Sequence, residues 1–299
     1  MTGDWLKSFD PSTFEQQRLL LFLLGHFVSD EYPEIDQETF DRLKRSVVTS
    51  RHRRFREATM SYQMFNCAHL KSTRVLMDAD FGPVTQSTVK TRFCGAPDIT
   101  PARLQAGTGP AWGKKHLTVW HDMATLRGLT FDEAKSLDLE AVGLISDVCG
   151  LTFQWGSDYD IYAHARGIDG ENGVLAWSYL PNSANYNGTI ERRFDNRENY
   201  SGRGRTFFRP VDAHEHGHAV GMEHSSSIKD LMYPQITGVQ KFGPGDIRVL
   251  QAKYGKPTTD PDPPDPPDDS DSIKDGESVT LSGVVRKVKN VIFMEARVT

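Results

Sequence analysis

One stretch of this chain gathers three metal-type side chains and a carboxylate at the spacing of a single site: His214-Glu215-His216-Gly217-His218-Ala219-Val220-Gly221-Met222-Glu223-His224. On a helix, residues four apart leave the same face one turn apart, so the imidazoles of His214 and His218 can reach one ion. Gly221 can take the left-handed conformation that ends a helix. The chain can then turn and bring His224 to that ion as a third ligand. Three nitrogen ligands leave a tetrahedral zinc one open position, which is the catalytic rather than the structural arrangement. Bound zinc acidifies a water and polarises a carbonyl. Glu215, beside the first ligand, is placed to serve as general base, taking a proton from the attacking water and passing it to the leaving amine. His216 falls on another helix face and is not expected to join the same ion. His26, His52, His69, His116, His121 and His164 are isolated in the sequence and read as structural. Downstream, Leu231-Met232-Tyr233-Pro234 places Met232 where it can form an apolar floor beneath the metal.

These side chains need a framework, and the apolar periodicity supplies one. His116–Trp120 alternates like a strand, and 131–149 reads as a helix with Ala134, Leu137, Ala141, Val142, Ile145 and Val148 on one face. Short strands are expected over 151–155, 160–165, 174–180 and 189–194, and two helices over 211–223 and 246–254, the second closed by Gly255. One helix, then strands, then two helices make an α+β domain. Before it, residues 12–90 read as helical. Phe14, Leu19, Leu20, Phe22, Leu23 and Phe27 form one apolar stripe, and Phe40, Leu43 and Val47 continue at helical spacing. The basic run Arg51, Arg53, Arg54 and Arg56 reads as a solvated helix face rather than a processing site. Residues 256–270 hold six prolines and five aspartates, a composition that builds an extended spacer and no core. Beyond it, residues 277–299 read as strand that begins a further β domain.

Length and composition agree with globular domains: 299 residues, 37% hydrophobic and 25% charged. A net charge of −5 gives no reason to expect nucleic acid as partner. The longest apolar run, 19–28, is too short to span a bilayer and follows acidic rather than basic residues, so no signal peptide is visible. Three cysteines, Cys67, Cys94 and Cys149, cannot all pair within the chain.

With Ser225 after the third histidine, this constellation resembles the matrixins, the matrix-metalloproteinase branch of the metzincin zinc endopeptidases. The resemblance covers about residues 60–255. Phe93-Cys94-Gly95-Ala96-Pro97-Asp98 is similar to the family's cysteine switch, in which the pro-segment thiolate takes the position the water needs. The family's arginine before that cysteine is Phe93 here, with Arg92 one residue early. Its ion pair to the motif's aspartate, Asp98, therefore does not carry over directly, and latency is expected to be leakier. Asp78–Thr85 resembles a turn of peptidoglycan-binding helical domains and reads as pro-domain scaffold. Trp112-Gly113-Lys114-Lys115-His116-Leu117-Thr118 is similar to the start of the mature domain, which places activation cleavage between Asp98 and Trp112.

The resemblance implies a helical pro-domain over 1–98, an activation segment over 99–111 and a catalytic domain over 112–255. That domain would have a twisted, mixed five-stranded sheet and three helices, followed by a linker over 256–275 and a truncated β segment over 276–299. It implies one catalytic zinc on His214, His218 and His224, with Cys94 as fourth ligand in the latent form. It implies a structural calcium on Asp169, Asp195 and Glu198, and a second calcium on Asp160. Trp177 and Arg193 stand where two histidines of the family's structural zinc usually lie, so that zinc is not expected. A polypeptide substrate would add as a strand antiparallel to the 174–180 edge, along Val174, Leu175 and Ala176, with a pocket walled by Tyr233 and Pro234 near Pro210. A secreted monomer released by an activating protease is the implied setting. Two other readings stay open at this point: a non-catalytic binding module, and a metallohydrolase acting on cell-wall peptides.

Overall fold

The computed structural model describes residues 10–26, 53–70, 78–89, 94–98, 111–181 and 188–257, and the backbone of 281–288 and 291–298. Phe27, Phe40, Leu43, Val47, Arg51, His52, Arg92 and Phe93 lie outside the described residues.

The sheet that carries the site is mixed. Strands β1 (His116–Asp122), β2 (Thr152–Trp155), β3 (Ile161–Arg166), β4 (Ala176–Ser178) and β5 (Ile190–Asp195) lie in the order β2-β1-β3-β5-β4. The first four are parallel neighbours, and β4 runs antiparallel to β5 at the edge. The expected strand over 174–180 is thus shorter, ending at Ser178, because pairing with β5 covers only three residues.

Between β1 and β2 runs helix α4 (Phe131–Ser146), started by a capping box in which Thr130 and Glu133 satisfy each other's backbone N–H. Its face of Ala141, Val142 and Ile145 is fully buried against Leu117, Val119, Phe153 and Ile161 of the sheet. Burying a valine or isoleucine of this kind contributes about 1.5–3 kcal/mol. Helix α5 (Arg209–Ala219) packs on the same face and carries the motif. A π-helical turn, Gly204–Phe208, leads into it. Helix α6 (Pro244–Tyr254) closes the domain.

The N-terminal region contributes α1 (Phe14–Leu23), α2 (Arg53–Asn66) and α3 (Pro83–Val89). Their apolar faces make a second core of Leu20, Leu21, Leu24, Phe55, Tyr62 and Phe81. That core also takes in Ile168, Val174 and Trp177 from the sheet domain. Gln63, fully buried, holds the 78–85 turn by bonds to Asp78, Asp80 and Thr85, which gives that turn a scaffold role. Strands β6 (Leu281–Val288) and β7 (Val291–Val298) pair as an antiparallel hairpin. Among the described residues no helix is long and apolar enough to cross a membrane.

Candidate metal centre

Helix α5 ends where the sequence requires it. Gly221 has φ of 87°, its N–H reaches the His218 carbonyl, and the Met222 N–H reaches the Gly217 carbonyl. This pair of bonds is the Schellman ending, which only a residue tolerant of positive φ can close cheaply. The reversal carries the chain back so that His224 faces the helix it has just left.

The outer nitrogens of His214 and His218 are hydrogen-bonded, and that of His224 lies close to a carboxylate. Nδ1 of His214 lies 2.8 Å from the Leu231 carbonyl and Nδ1 of His218 lies 2.8 Å from the Met222 carbonyl. Carbonyls only accept, so each Nδ1 carries the proton and each Nε2 keeps its lone pair for a metal. Nδ1 of His224 is 2.9 Å from a carboxylate oxygen of Asp98. The inner nitrogens of His218 and His224 are 3.2 Å apart, and Cys94 Sγ is 3.5 Å from His218 Nε2. Ligands at about 2.0–2.3 Å from a tetrahedral zinc lie roughly 3.3–3.8 Å from one another. Four buried donors, Cys94, His214, His218 and His224, bring ligand atoms within 4.8 Å of one another, so the donor set and its spacing fit zinc.

Beneath the helix, Met232 is fully buried, and a Cβ built on Gly217 would lie 2.4 Å from its Sδ. No larger residue at position 217 lets the methionine turn approach this closely. The turn is fastened by two carboxylates. Ser225 Oγ donates to Asp230, while Asp246 accepts from the backbone N–H of Leu231 at 2.6 Å and of Gly243 at 2.9 Å. Burial pushes the Asp246 carboxyl up to about 7, against the pull of those N–H donors.

His216 faces the opposite way. Its Nε2 lies 2.8 Å from Asp138 on α4, within a fully buried group that also holds Arg192 of β5 and Asp212 of α5. Burial would raise Asp138, but the Arg192 charge and then His216 outweigh it and hold that carboxyl well below its usual range. Burial and then the Asp138 charge push Asp212 well above its own. Burial, followed by Arg192, lowers His216 to about 4, so it stays neutral. The ligand atoms of Asp138, Asp212 and His216 also cluster within 4.8 Å, but the Arg192 guanidinium already bonds both carboxylates and supplies the positive charge there.

A cleft opens beside the centre, lined among others by Cys94, Glu215, Pro210, Tyr233, Pro234 and Ile236. Along the other side, Cys94 makes a parallel bridge to Ala176, with the Gly95 N–H bonded to the Ala176 carbonyl at 3.0 Å. The 94–98 segment thus lies on the edge strand, and Val174, Leu175 and Ala176 are buried.

The acidic positions are gathered differently. Asp195 accepts from the N–H groups of Asp169 and Gly170, Glu198 from Gly173, and Asp169 from Val174, which ties the 169–174 loop to the end of β5. Burial, with the Asp195 and Asp169 charges adding, raises the Glu198 carboxyl. Among the described residues these three do not bring ligand atoms within 4.8 Å of one another. Asp160 stands elsewhere, one oxygen 2.7 Å from Lys114 Nζ and the other accepting from the Thr118 N–H, so a cation there would displace an ammonium. Trp177 and Arg193 are cross-strand partners, the guanidinium 4.8 Å from the ring centroid.

Sequence reading missed the Asp138–Arg192–Asp212 group and the surroundings of Asp98. It took His26 as isolated, whereas its Nε2 lies 2.7 Å from Asp98. Charged residues at apolar helix and strand positions were the available signal for the first. No sequence signal marked the second.

Two histidines on one helix face, a returning third and a methionine beneath them define a metallopeptidase-type domain. Residues 110–255 match the matrixin family, and the chain is a matrixin-like protein. It is 30% identical over 196 residues to the hatching enzyme of Paracentrotus lividus, covering 60% of this chain and 31% of that enzyme. It is 32% identical over 184 residues to the interstitial collagenase of Equus caballus, covering 57% of this chain and 38% of the collagenase. Over a further 184-residue match it is 32% identical to matrix metalloproteinase-26 of Homo sapiens, 54% of this chain and 66% of that protein. The match thus spans about a third of the first two relatives.

Proposed function

We propose that this protein is a zinc-dependent endopeptidase of the secreted type, held latent by Cys94 and acting outside the cell as a monomer. The observation that carries the reading is the convergence of Cys94 with His214, His218 and His224, whose ligand atoms lie within 4.8 Å of one another, with Glu215 in the adjoining cleft. When bound, zinc would supply Lewis acidity to a water and to the scissile carbonyl. Glu215 takes the proton of the attacking water and delivers it to the leaving amine, a transfer worth about 10²–10⁴ in rate. The edge strand β4 orients an extended polypeptide by main-chain bonds, and the cleft by Tyr233 and Pro234 receives a side chain. The 94–98 segment meets β4 in parallel, the reverse of the antiparallel substrate direction, so it blocks the site without presenting a bond for cleavage.

Residues 1–98 serve as pro-domain, with cleavage by an activating protease in 99–111 opening the site. Residues 112–255 form the catalytic domain, 256–275 a linker and 276–299 a β segment. Asp169, Asp195 and Glu198 bind a structural calcium after giving up part of their present backbone bonds; burial, with the Asp195 and Asp169 charges adding, already raises Glu198.

The test is hydrolysis of a quenched fluorescent peptide by the purified chain, before and after limited trypsin or a thiol-modifying mercurial, with and without a chelator. Activity that emerges only on treatment and vanishes with chelator is expected. Glu215→Ala should bind one equivalent of zinc and lose at least about 10²-fold in kcat. Zinc uptake with no hydrolysis under any condition would overturn the reading in favour of a binding module.

A further inference from the structure

Two of the three metal-site histidines are steadied from within the catalytic region, by the neutral carbonyls of Leu231 and Met222. The third is not. The group facing the outer nitrogen of His224 is the carboxylate of Asp98, which belongs to the segment that leaves on activation. That carboxylate is fully buried, and its other oxygen is held at 2.7 Å by His26 Nε2, just beyond α1, and at 2.7 Å by Asn66 Nδ2, at the end of α2. His26 is itself held by Ser61 at 2.9 Å, and the Asp98 N–H bonds to the Leu24 carbonyl at 3.1 Å. The N-terminal helices thus present one fixed anion to a metal-site histidine.

We infer that Asp98 is a positioning residue for the metal site, so that the pro-segment has two separate ties to the metal. One runs through the Cys94 sulfur and the other through Asp98 to His224, with His26 and Asn66 as the anchor. The inference rests on the zinc reading above. A carboxylate partner on the outer nitrogen fixes the ring and makes its inner nitrogen a stronger donor, and losing such a partner typically weakens metal binding about 10- to 100-fold. Removing the pro-segment then frees a coordination position and loosens His224 in the same event.

The experiment uses the full, zinc-loaded chain mixed with excess chromogenic chelator, following zinc release. Asp98→Ala, Asp98→Asn and His26→Ala are compared in the natural chain and together with Cys94→Ser. A parallel set with cobalt in place of zinc reports the thiolate charge-transfer band, which marks Cys94 on the metal. The expected result is release about 10- to 100-fold faster in Asp98→Ala with the thiolate band intact, a smaller acceleration in Asp98→Asn, and a further acceleration when Asp98→Ala is added to Cys94→Ser. Unchanged release with the band intact would overturn the inference. So would faster release accompanied by loss of the band, since Asp98 would then only dock the cysteine. A natural chain that takes up no zinc would sink the metallopeptidase reading instead, a result distinguishable from both.

Discussion

Replacing Arg192 by methionine tests whether the buried ionic group behind α5 holds the catalytic helix in place. Arg192 is fully buried, bonds Asp138 at 2.7 Å and closely contacts Asp212, and its guanidinium lies 5.8 Å from the Phe194 ring centroid. Methionine keeps most of the stem volume and removes the charge. Burial and then the Asp138 charge push the Asp212 carboxyl well above its usual range. Asp138 then loses the Arg192 charge that holds its carboxyl low against burial, and keeps His216 at 2.8 Å. Removing one partner of a buried pair costs about 3–5 kcal/mol. For a unit of this size that lowers Tm by roughly 10 °C, at about 2–4 °C per kcal/mol. His216 should also become easier to protonate, since Arg192 is the second cause, after burial, of its low pKa. Urea denaturation at neutral pH, followed by tryptophan fluorescence, measures the effect. The variant with Asp138→Leu, Arg192→Met and Asp212→Ala together should recover most of the loss, because an apolar group replaces the whole ionic one. A single-variant cost below about 1 kcal/mol, or a triple variant no better than the single, would refute the argument.

Gly217→Ala should disrupt the site by driving a methyl into Met232 Sδ, with partial recovery of zinc binding when Met232→Ala is added; metal titration of both variants decides it. Asp246, raised from 3.8 to about 7, favours the folded state fully below about 3.8, and that contribution is lost as pH rises through about 7. Asp246→Asn should therefore flatten part of the fall in stability between pH 4 and 8, a difference of up to about 4 kcal/mol by the usual conversion; parallel denaturation curves of equal slope would refute it. Trp177→Ala removes a fully buried ring shared between the N-terminal helices and β4, at a cost of about 3–5 kcal/mol. It should raise peptide hydrolysis by the unprocessed chain, and unchanged latency would show that this contact does not hold the pro-segment.

The local patterns were legible in the sequence because they are local. His214 and His218 share a face by helical period alone, Gly221 ends the helix by its freedom at positive φ, and the alternation of 116–120 specifies a strand. The helix expected over 131–149 was readable from its apolar spacing, and ends at Ser146. Motif order likewise suggested Cys94 beside the three histidines and Met232 beneath their helix, where the structure has them. What only the tertiary structure decided are the partners brought together across long separations. Asp98 meets His26 across 72 residues and lies against His224, and nothing in local spacing encodes that meeting. Asp138, Arg192 and Asp212 stand at apolar positions of separate elements, and nothing local pairs them with one another or with His216. They become one buried group because α4, α5 and β5 face one another across the core. Trp177 reads from sequence only as a replaced ligand; packing gives it Arg193 across the strand pair and the N-terminal helices as cover. Period and turn chemistry act over a few residues, whereas burial and charge compensation depend on which surfaces the whole fold presses together.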